Sequence, residues 1–273
     1  MSNEVAKISQ GVYRNPQLPF LEVRTTHSSR QPYAPHLHDT LSLGVVFSGE
    51  TLLTCGGAHT RLTAGDMVLI APEEVHSCNP VDGGPRSYHM FHINAHWALS
   101  RLGHPGGTFP EVKTRIAKDR RAFAALLALA DAVREGRHDD KGLAALQKII
   151  AANCSARSTA CPVPPAIAHS REILGQPDPG GDIGVAELAS RTGLARETLI
   201  RSFRRVTGTT PGGYRQCLRL ARALALLRRG VDIAAAAADC GYADQSHLHR
   251  MCVKYLSATP AQLRPKTSLS YKK

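Results

Sequence analysis

Residues 185–214, "VAELASRTGLARETLIRSFRRVTGTTPGGY", align with residues 233–263, "IAAAAADCGYADQSHLHRMCVKYLSATPAQL". Ala189 precedes Gly193 by four positions, as Ala237 precedes Gly241. Leu199 precedes Pro211 by twelve and Tyr214 by fifteen, as Leu248 precedes Pro260 and Leu263. The second copy carries one extra residue just after its glycine. Each copy reads as a short helix, a glycine turn and a second helix, with a small residue where the two helices cross. That is the pattern of a helix-turn-helix.

The outer faces of the second helices carry the chemistry. A helical wheel begun at Ala195 places Leu199, Phe203 and Val206 on one side and Glu197, Ile200, Arg201, Arg204 and Arg205 on the other. In the second copy Asp244 is the expected N-cap, and Leu248, Met251, Cys252 and Tyr255 face inward. Ser246, His249 and Arg250 face outward, flanked by Gln245 and His247. Donors and acceptors gathered in the first two turns suit a helix that meets base edges in a major groove. Arg201 and Arg250 hold equivalent places, each fitted to guanine O6 and N7, while Gln245 suits adenine. His247 and His249, two apart on a helix, point about 200° from each other and cannot easily share a metal.

Between the copies, "PGGYRQCLRLARALALLRRG" (211–230) reads as one helix begun by proline. Its apolar stripe is Tyr214, Leu218, Ala221, Leu224 and Ala225. Arg215, Arg219, Arg222 and Arg229 form a second face, expected either to touch phosphate or to stand in solvent.

Residues 183–264 resemble the double helix-turn-helix domain of AraC/XylS-type transcription regulators. The resemblance rests on the first copy, on "RLARALALL", and on "GYADQSHLHR" followed by "TP". Two positions depart from the pattern. Ala236 stands where a larger aliphatic is usual, and "YLSATP" replaces an aromatic-glycine-x-TP ending. Both imply a looser second motif.

The front of the chain has a different grain. Short β-rich runs, "FLEVRTT", "LSLGVVF", "TLLTC", "AHTRL", "MVLIA" and "SYHMFHI", alternate with glycine turns between residues 20 and 94, as in an antiparallel sandwich or barrel. Nine of the thirteen histidines fall between His27 and His104. His36 and His38 alternate along an extended segment and share one face, and His76 follows a strand that brings it to the same place. His89 and His92 sit at odd spacing, so only one faces the interior. His59, His96 and His104 lie among turns and are expected at the surface.

The segments "YAPHLHDTLSLGVVFSGE" and "LTAGDMVLIAPEEVHSCNP" are similar to the cupin-like sensor found ahead of this DNA-binding unit. In enzymatic cupins such histidines hold a metal with a glutamate that follows the first pair. Here Asp39, Thr40, Leu41 and Ser42 follow it instead. His36, His38, His76 and His92 are therefore expected to hydrogen-bond a small organic effector. A metal on His36, His38 and His76 is the alternative.

Residues 117–153 switch to helical periodicity. Phe123, Leu126, Leu127, Ala130 and Val133 form a stripe that needs either the sheet or a second subunit to cover it. The proline-containing stretch 154–166 reads as a linker. The organisation expected is an α+β chain: a cupin-like barrel with helical dimerisation segment (1–153), the linker (154–166), and a double helix-turn-helix domain (167–266).

Charge agrees with this division. The net charge is +12; residues 166–273 hold 17 Lys and Arg against 8 Asp and Glu, and residues 1–165 hold 17 against 14. A basic carboxy-terminal half suits a polyanion partner. The amino terminus "MSNEVAKISQ" lacks the apolar run of a secretory signal, and seven cysteines without a C-x-x-C pair read as reduced thiols. The expectation is a cytoplasmic regulator that is not an enzyme and needs no cofactor. Its partners would be a double-stranded DNA operator, an effector, a second copy of itself and RNA polymerase. The reading from another class is a metal-binding cupin enzyme or metal sensor joined to a DNA-binding domain.

Overall fold

The computed structural model describes residues 10–264 except 106, 108, 113–115, 156–162 and 177–182. The amino-terminal half contains β1 (Gln10–Arg14), β2 (Leu21–Ser29), β3 (Thr40–Ser48), β4 (Glu50–Cys55), β5 (Ala58–Thr63), β6 (Met67–Ile70), β7 (His76–Pro80) and β8 (Arg86–Asn94). Next come α1 (Ala95–Arg101), β9 (Glu111–Val112), β10 (Ile116–Ala117), α2 (Arg120–Arg134), α3 (Asp140–Asn153) and β11 (Cys154–Ser155). Six strands form one antiparallel sheet in the order β1-β2-β8-β3-β6-β10. β5-β4-β7 form a second sheet, and β11 pairs with β9.

The large sheet is covered on both faces, and β3 and β6 within it read as nearly continuous apolar runs. On one face Leu41, Leu43 and Val45 of β3 and Phe91 and Ile93 of β8 pack against Leu126, Ala130 and Val133 of α2 and Leu146 and Ile150 of α3. On the other, Val46, Val68, Ile70 and Tyr88 meet Leu53, Leu62 and Cys78 of the small sheet. Two sheets closed over a shared interior give the barrel. The helical stripe thus finds its cover within the chain: Leu126 is 0% exposed, with Ala130 and Val133 at 2%. Phe123 and Leu127 are left half-buried. Asp119 and Asp139 cap α2 and α3 by accepting backbone N–H groups.

Sequence pattern did not reveal β1, β7 or the two-residue strands. The histidine-bearing segment also differs from a regular strand. His36 makes an isolated antiparallel bridge with His76, donating from its N–H to the His76 carbonyl (2.9 Å) and accepting in return (2.8 Å).

The carboxy-terminal half is helical: α4 (Pro165–Gly175), α5 (Val185–Thr192), α6 (Arg196–Thr207), α7 (Pro211–Arg228), α8 (Ile233–Asp239), α9 (Gln245–Leu256) and α10 (Pro260–Leu263). The pairs α5–α6 and α8–α9 are the two repeats. Gly193 and Gly241 turn them at φ 68° and 71°, backbone that glycine adopts without strain. Leu199, Phe203, Leu248 and Cys252 are fully buried, with Tyr214, Leu220 and Leu224 of α7 between the repeats.

The second motif departs where the sequence does. Ala236 is fully buried. Ser257 caps α9 in the left-handed region at φ 48°, where its buried hydroxyl has no hydrogen-bond partner. All six cysteines among the described residues are buried, and none of the six is in a disulfide.

Candidate functional site

The interior end of the barrel holds four imidazoles. His36, His38, His76 and His92 line one cavity of about 40 Å³ with Gln10, Arg24, Tyr33, Cys78, Tyr88 and Met90. Ring centroids lie 4.9 Å apart for His36–His38, 4.6 Å for His36–His76, 5.3 Å for His38–His76 and 4.6 Å for His38–His92. His36 donates from Nδ1 to the Ala34 carbonyl and His76 from Nδ1 to the Glu74 carbonyl, both at 2.9 Å. The Nδ1 of His38 is buried without a partner. The His92 Nδ1 lies 3.3 Å from the hydroxyls of Thr40 and Ser42. Burial, reinforced by His76, pushes the His36 imidazole down to about 3. Burial and neighbouring imidazoles also hold His38 well below its ordinary range, while burial and Arg24 act on His92. His36, His38 and His92 are therefore neutral near neutral pH.

His89 falls on the opposite face of β8, hydrogen-bonded to Thr25 and packed on Phe47. His59, His96 and His104 are exposed.

One wall of the cavity comes from the other half of the molecule. Tyr255 and Leu256, in the last turn of α9, line it together with the histidines. The segment carrying His36 and His38 is joined to the helical half by three links. The Ala34 N–H donates to the Lys254 carbonyl (3.3 Å), the Cys217 thiol to the Pro35 carbonyl (3.4 Å), and Leu37 enters the helical core.

Beside this seam stands a charged group that sequence pattern does not announce. Glu22 on β2 is paired with Arg14, with Arg24 at 2.8 Å and with Arg228 of α7 at 3.6 Å. Burial works to raise the Glu22 carboxyl, but Arg24, Arg228 and Arg14 together hold it well below the usual carboxylate range.

The helical half presents its polar face away from these contacts. Glu197, Ile200, Arg201, Arg204 and Arg205 line one continuous surface of α6. Gln245, Ser246, His249 and Arg250 are exposed on the first turns of α9, and His247 is half-buried against Tyr242. Asp244 accepts the His247 N–H at 2.6 Å, as an N-cap. Of the α7 arginines, Arg215 and Arg219 are half-buried and Arg222 is exposed. Arg215 donates to the Ile183 carbonyl (3.2 Å), and Arg222 donates to the Gly175 carbonyl. No helix among the described residues is long and apolar enough to cross a membrane.

A barrel with a walled interior site, joined to two helix-turn-helix units on one connecting helix, defines a ligand-binding transcription regulator. Residues 19–146 match the model of the AraC-like ligand binding domain, and residues 188–266 match that of a helix-turn-helix domain. The chain belongs to the AraC family of helix-turn-helix transcription regulators with an amino-terminal ligand-binding domain. It is 25% identical over 230 residues to the uncharacterised HTH-type transcriptional regulator YbfI of Bacillus subtilis, covering 80% of this chain and 82% of that one. Its fold resembles crystal structures of ToxT from Vibrio cholerae. An apo variant matches with TM-score 0.56 and 12% identity over 91% of this chain and 97% of that one. Wild-type ToxT bound to an unsaturated fatty acid matches with TM-score 0.51 and 12% identity over 96% of each chain.

Proposed function

We propose that this regulator reads double-stranded DNA through α6 and α9 and answers to an effector held among His36, His38, His76 and His92. The observation that carries the first half is the pairing of two glycine-turned repeats, each with a buried apolar side and a bare donor-rich side. Glu197, Ile200, Arg201, Arg204 and Arg205 would meet one half-site; Gln245, Ser246, His247, His249 and Arg250 would meet the other. At 1.5 Å per residue α7 is about 27 Å long, close to the ~34 Å turn that separates successive major-groove faces. Arg215 and Arg219 would then brace the motifs and add positive potential toward phosphate.

Effector control would pass through the seam between the halves, because α9 both presents a DNA face and walls the pocket. The functional units are a sensor over 1–153, a connection over 154–166 and a DNA-reading unit over 167–266. Work in the cytoplasm, where operator and RNA polymerase are found, follows from this reading. A homodimer would use what α2 and α3 leave half-buried, namely Phe123, Leu127 and Leu143. Sedimentation of the full chain at micromolar concentration tests it, and a monomer throughout would remove the dimer.

Selection of bound sequences from random DNA, followed by footprinting, tests the main reading. The expected result is a site with two protected major-groove segments about 10 bp apart. Equal affinity for every sequence would overturn it. A second effector location has one observation in its favour. The cleft between the barrel rim and α4 and α7 measures about 560 Å³ and includes Leu37, Arg171, Tyr214, Leu218 and Arg222. That is the volume of a small organic ligand site. Loss of an organic effector's response on Leu218→Trp, with His36→Gln unaffected, would favour the cleft.

A further inference from the structure

We propose that His36, His38 and His76 bind one divalent transition-metal ion of zinc type, and that its binding stiffens the segment that ties the barrel to α9. The coupling half rests on the regulator reading above; the binding half does not.

The donor geometry comes first. One ring nitrogen from each of the three histidines lies within 4.8 Å of the other two, and all three residues are buried. Zinc at 2.0–2.1 Å from each nitrogen needs them about 3.4 Å apart. Small side-chain rotations close that gap, since all three rings already border one cavity.

The second observation concerns protons. A carbonyl oxygen only accepts, so the bonds from His36 to Ala34 and from His76 to Glu74 put the proton on Nδ1 of each ring. With the proton on Nδ1, Nε2 is the nitrogen left to coordinate. A ligating imidazole is commonly oriented this way, with its other nitrogen donating to a backbone carbonyl. The His38 Nδ1 adds a buried nitrogen with no hydrogen-bond partner. A cation would meet the need of that His38 nitrogen.

Room and donor type narrow the ligand. A cavity of about 40 Å³ accommodates an ion with about one water, whose share of liquid volume is ~30 Å³. Organic ligand sites run to roughly 300–1,000 Å³. Glu22, whose carboxylate acts on His92, is committed to Arg14, Arg24 and Arg228. The donor set is therefore all imidazole, which suits zinc, copper or nickel and not magnesium, calcium or manganese. His92, with its ring 4.6 Å from that of His38, stands beside the fourth position, which water or this ring would fill.

The link to the helical half is made of hydrogen bonds and apolar packing. His36 and His38 sit on the segment whose Ala34 and Pro35 bond Lys254 and Cys217 and whose Leu37 is in the helical core. Drawing the imidazoles together fixes the backbone of 34–38 and the wall formed by Tyr255 and Leu256.

The test uses the full chain, stripped with a chelator and dialysed against Zn²⁺, with Mg²⁺ as control. One equivalent of zinc and no magnesium is expected. The His36→Gln/His76→Gln double variant should lose more than the ~100-fold in affinity that changes to second-shell partners bring, with His59→Gln as an unaffected control. Cobalt in place of zinc should give visible d–d bands in the wild type that the double variant lacks. Circular dichroism identifies a variant that has not folded. In that case single His38→Gln, read by the same bands, takes its place. Less than a tenth of an equivalent of zinc on folded wild type, or equal binding by wild type and variants, overturns the site. Hydrogen exchange at 34–38 and 253–257 should slow with zinc, and unchanged exchange there overturns the coupling. Zinc binding by a protein that selects no DNA sequence leaves the site standing and removes the regulator reading instead.

Discussion

The Nε of Arg228, at the end of α7, lies 3.6 Å from the Glu22 carboxylate on β2, and its Nη1 donates to Asp39 at 3.0 Å. One guanidinium thus spans the two halves through a buried acid and a half-exposed one; Asp39 has 52% of its side chain accessible and Glu22 has 7%.

The two acids should behave differently on removal. Glu22→Gln leaves the buried Arg24 uncompensated and should cost about 3–5 kcal/mol. Asp39→Asn should cost less than about 1 kcal/mol, as for exposed pairs. Urea unfolding measures both. The Glu22 carboxyl is held below its ordinary value of 4.5 in the fold, so its contribution is present above that pH and is lost as the pH falls below it. Equal effects of the two substitutions would mean that burial does not set the strength of this clasp.

Arg201→Ala and Arg250→Ala should each cost about 1–3 kcal/mol on the selected DNA site and relax the preference at one base position. The two positions should lie about one helical turn apart. Competition binding against single-base variants of the site reads this directly.

Ser257→Gly should stabilise the protein by about 1 kcal/mol. The substitution relieves a non-glycine residue at φ 48° and removes a buried hydroxyl without a partner. It keeps the N–H bond to the Val253 carbonyl. A lower midpoint in thermal or urea unfolding would refute the capping argument.

His89 supplies a pH signature away from the pocket. Burial first, with His27 and Arg134 adding to it, pushes its imidazole down to about 4 from 6.5. The unfolded chain therefore takes up this proton at a higher pH than the folded one, and stability falls as the pH drops from 6.5 toward 4. His89→Asn should flatten that fall by about 2–3 kcal/mol. Parallel stability curves for wild type and variant would show that His89 protonates freely.

The repeat, its glycines and its apolar wheel were legible because they are local: spacing reports which side of a helix is buried. Leu199, Phe203, Leu248 and Cys252 are buried as that spacing requires. The alternation of His36 and His38 was legible for the same reason, with Leu37 pointing the other way. What covers a buried side was not legible. The stripe on α2 needed a cover, and the chain's own sheet supplies it. Glu22 meets Arg228, and Tyr255 meets the barrel cavity, across most of the chain length. No periodicity within a window of one element carries such a pairing. The residues themselves show only that Glu22 and Arg24 alternate with Leu21 and Val23 at the start of β2, not what they meet.

The double duty of α9 bears on protein engineering. Its first turns carry the exposed polar side chains, and its last turn seals the barrel with Tyr255 and Leu256. Exchanging sensor halves between regulators of this design therefore changes the sealing surface along with the sensor. A chimera spliced in the 154–166 region would inherit a lid shaped for another vessel, unless positions 255 and 256 and residues 34–37 travel together.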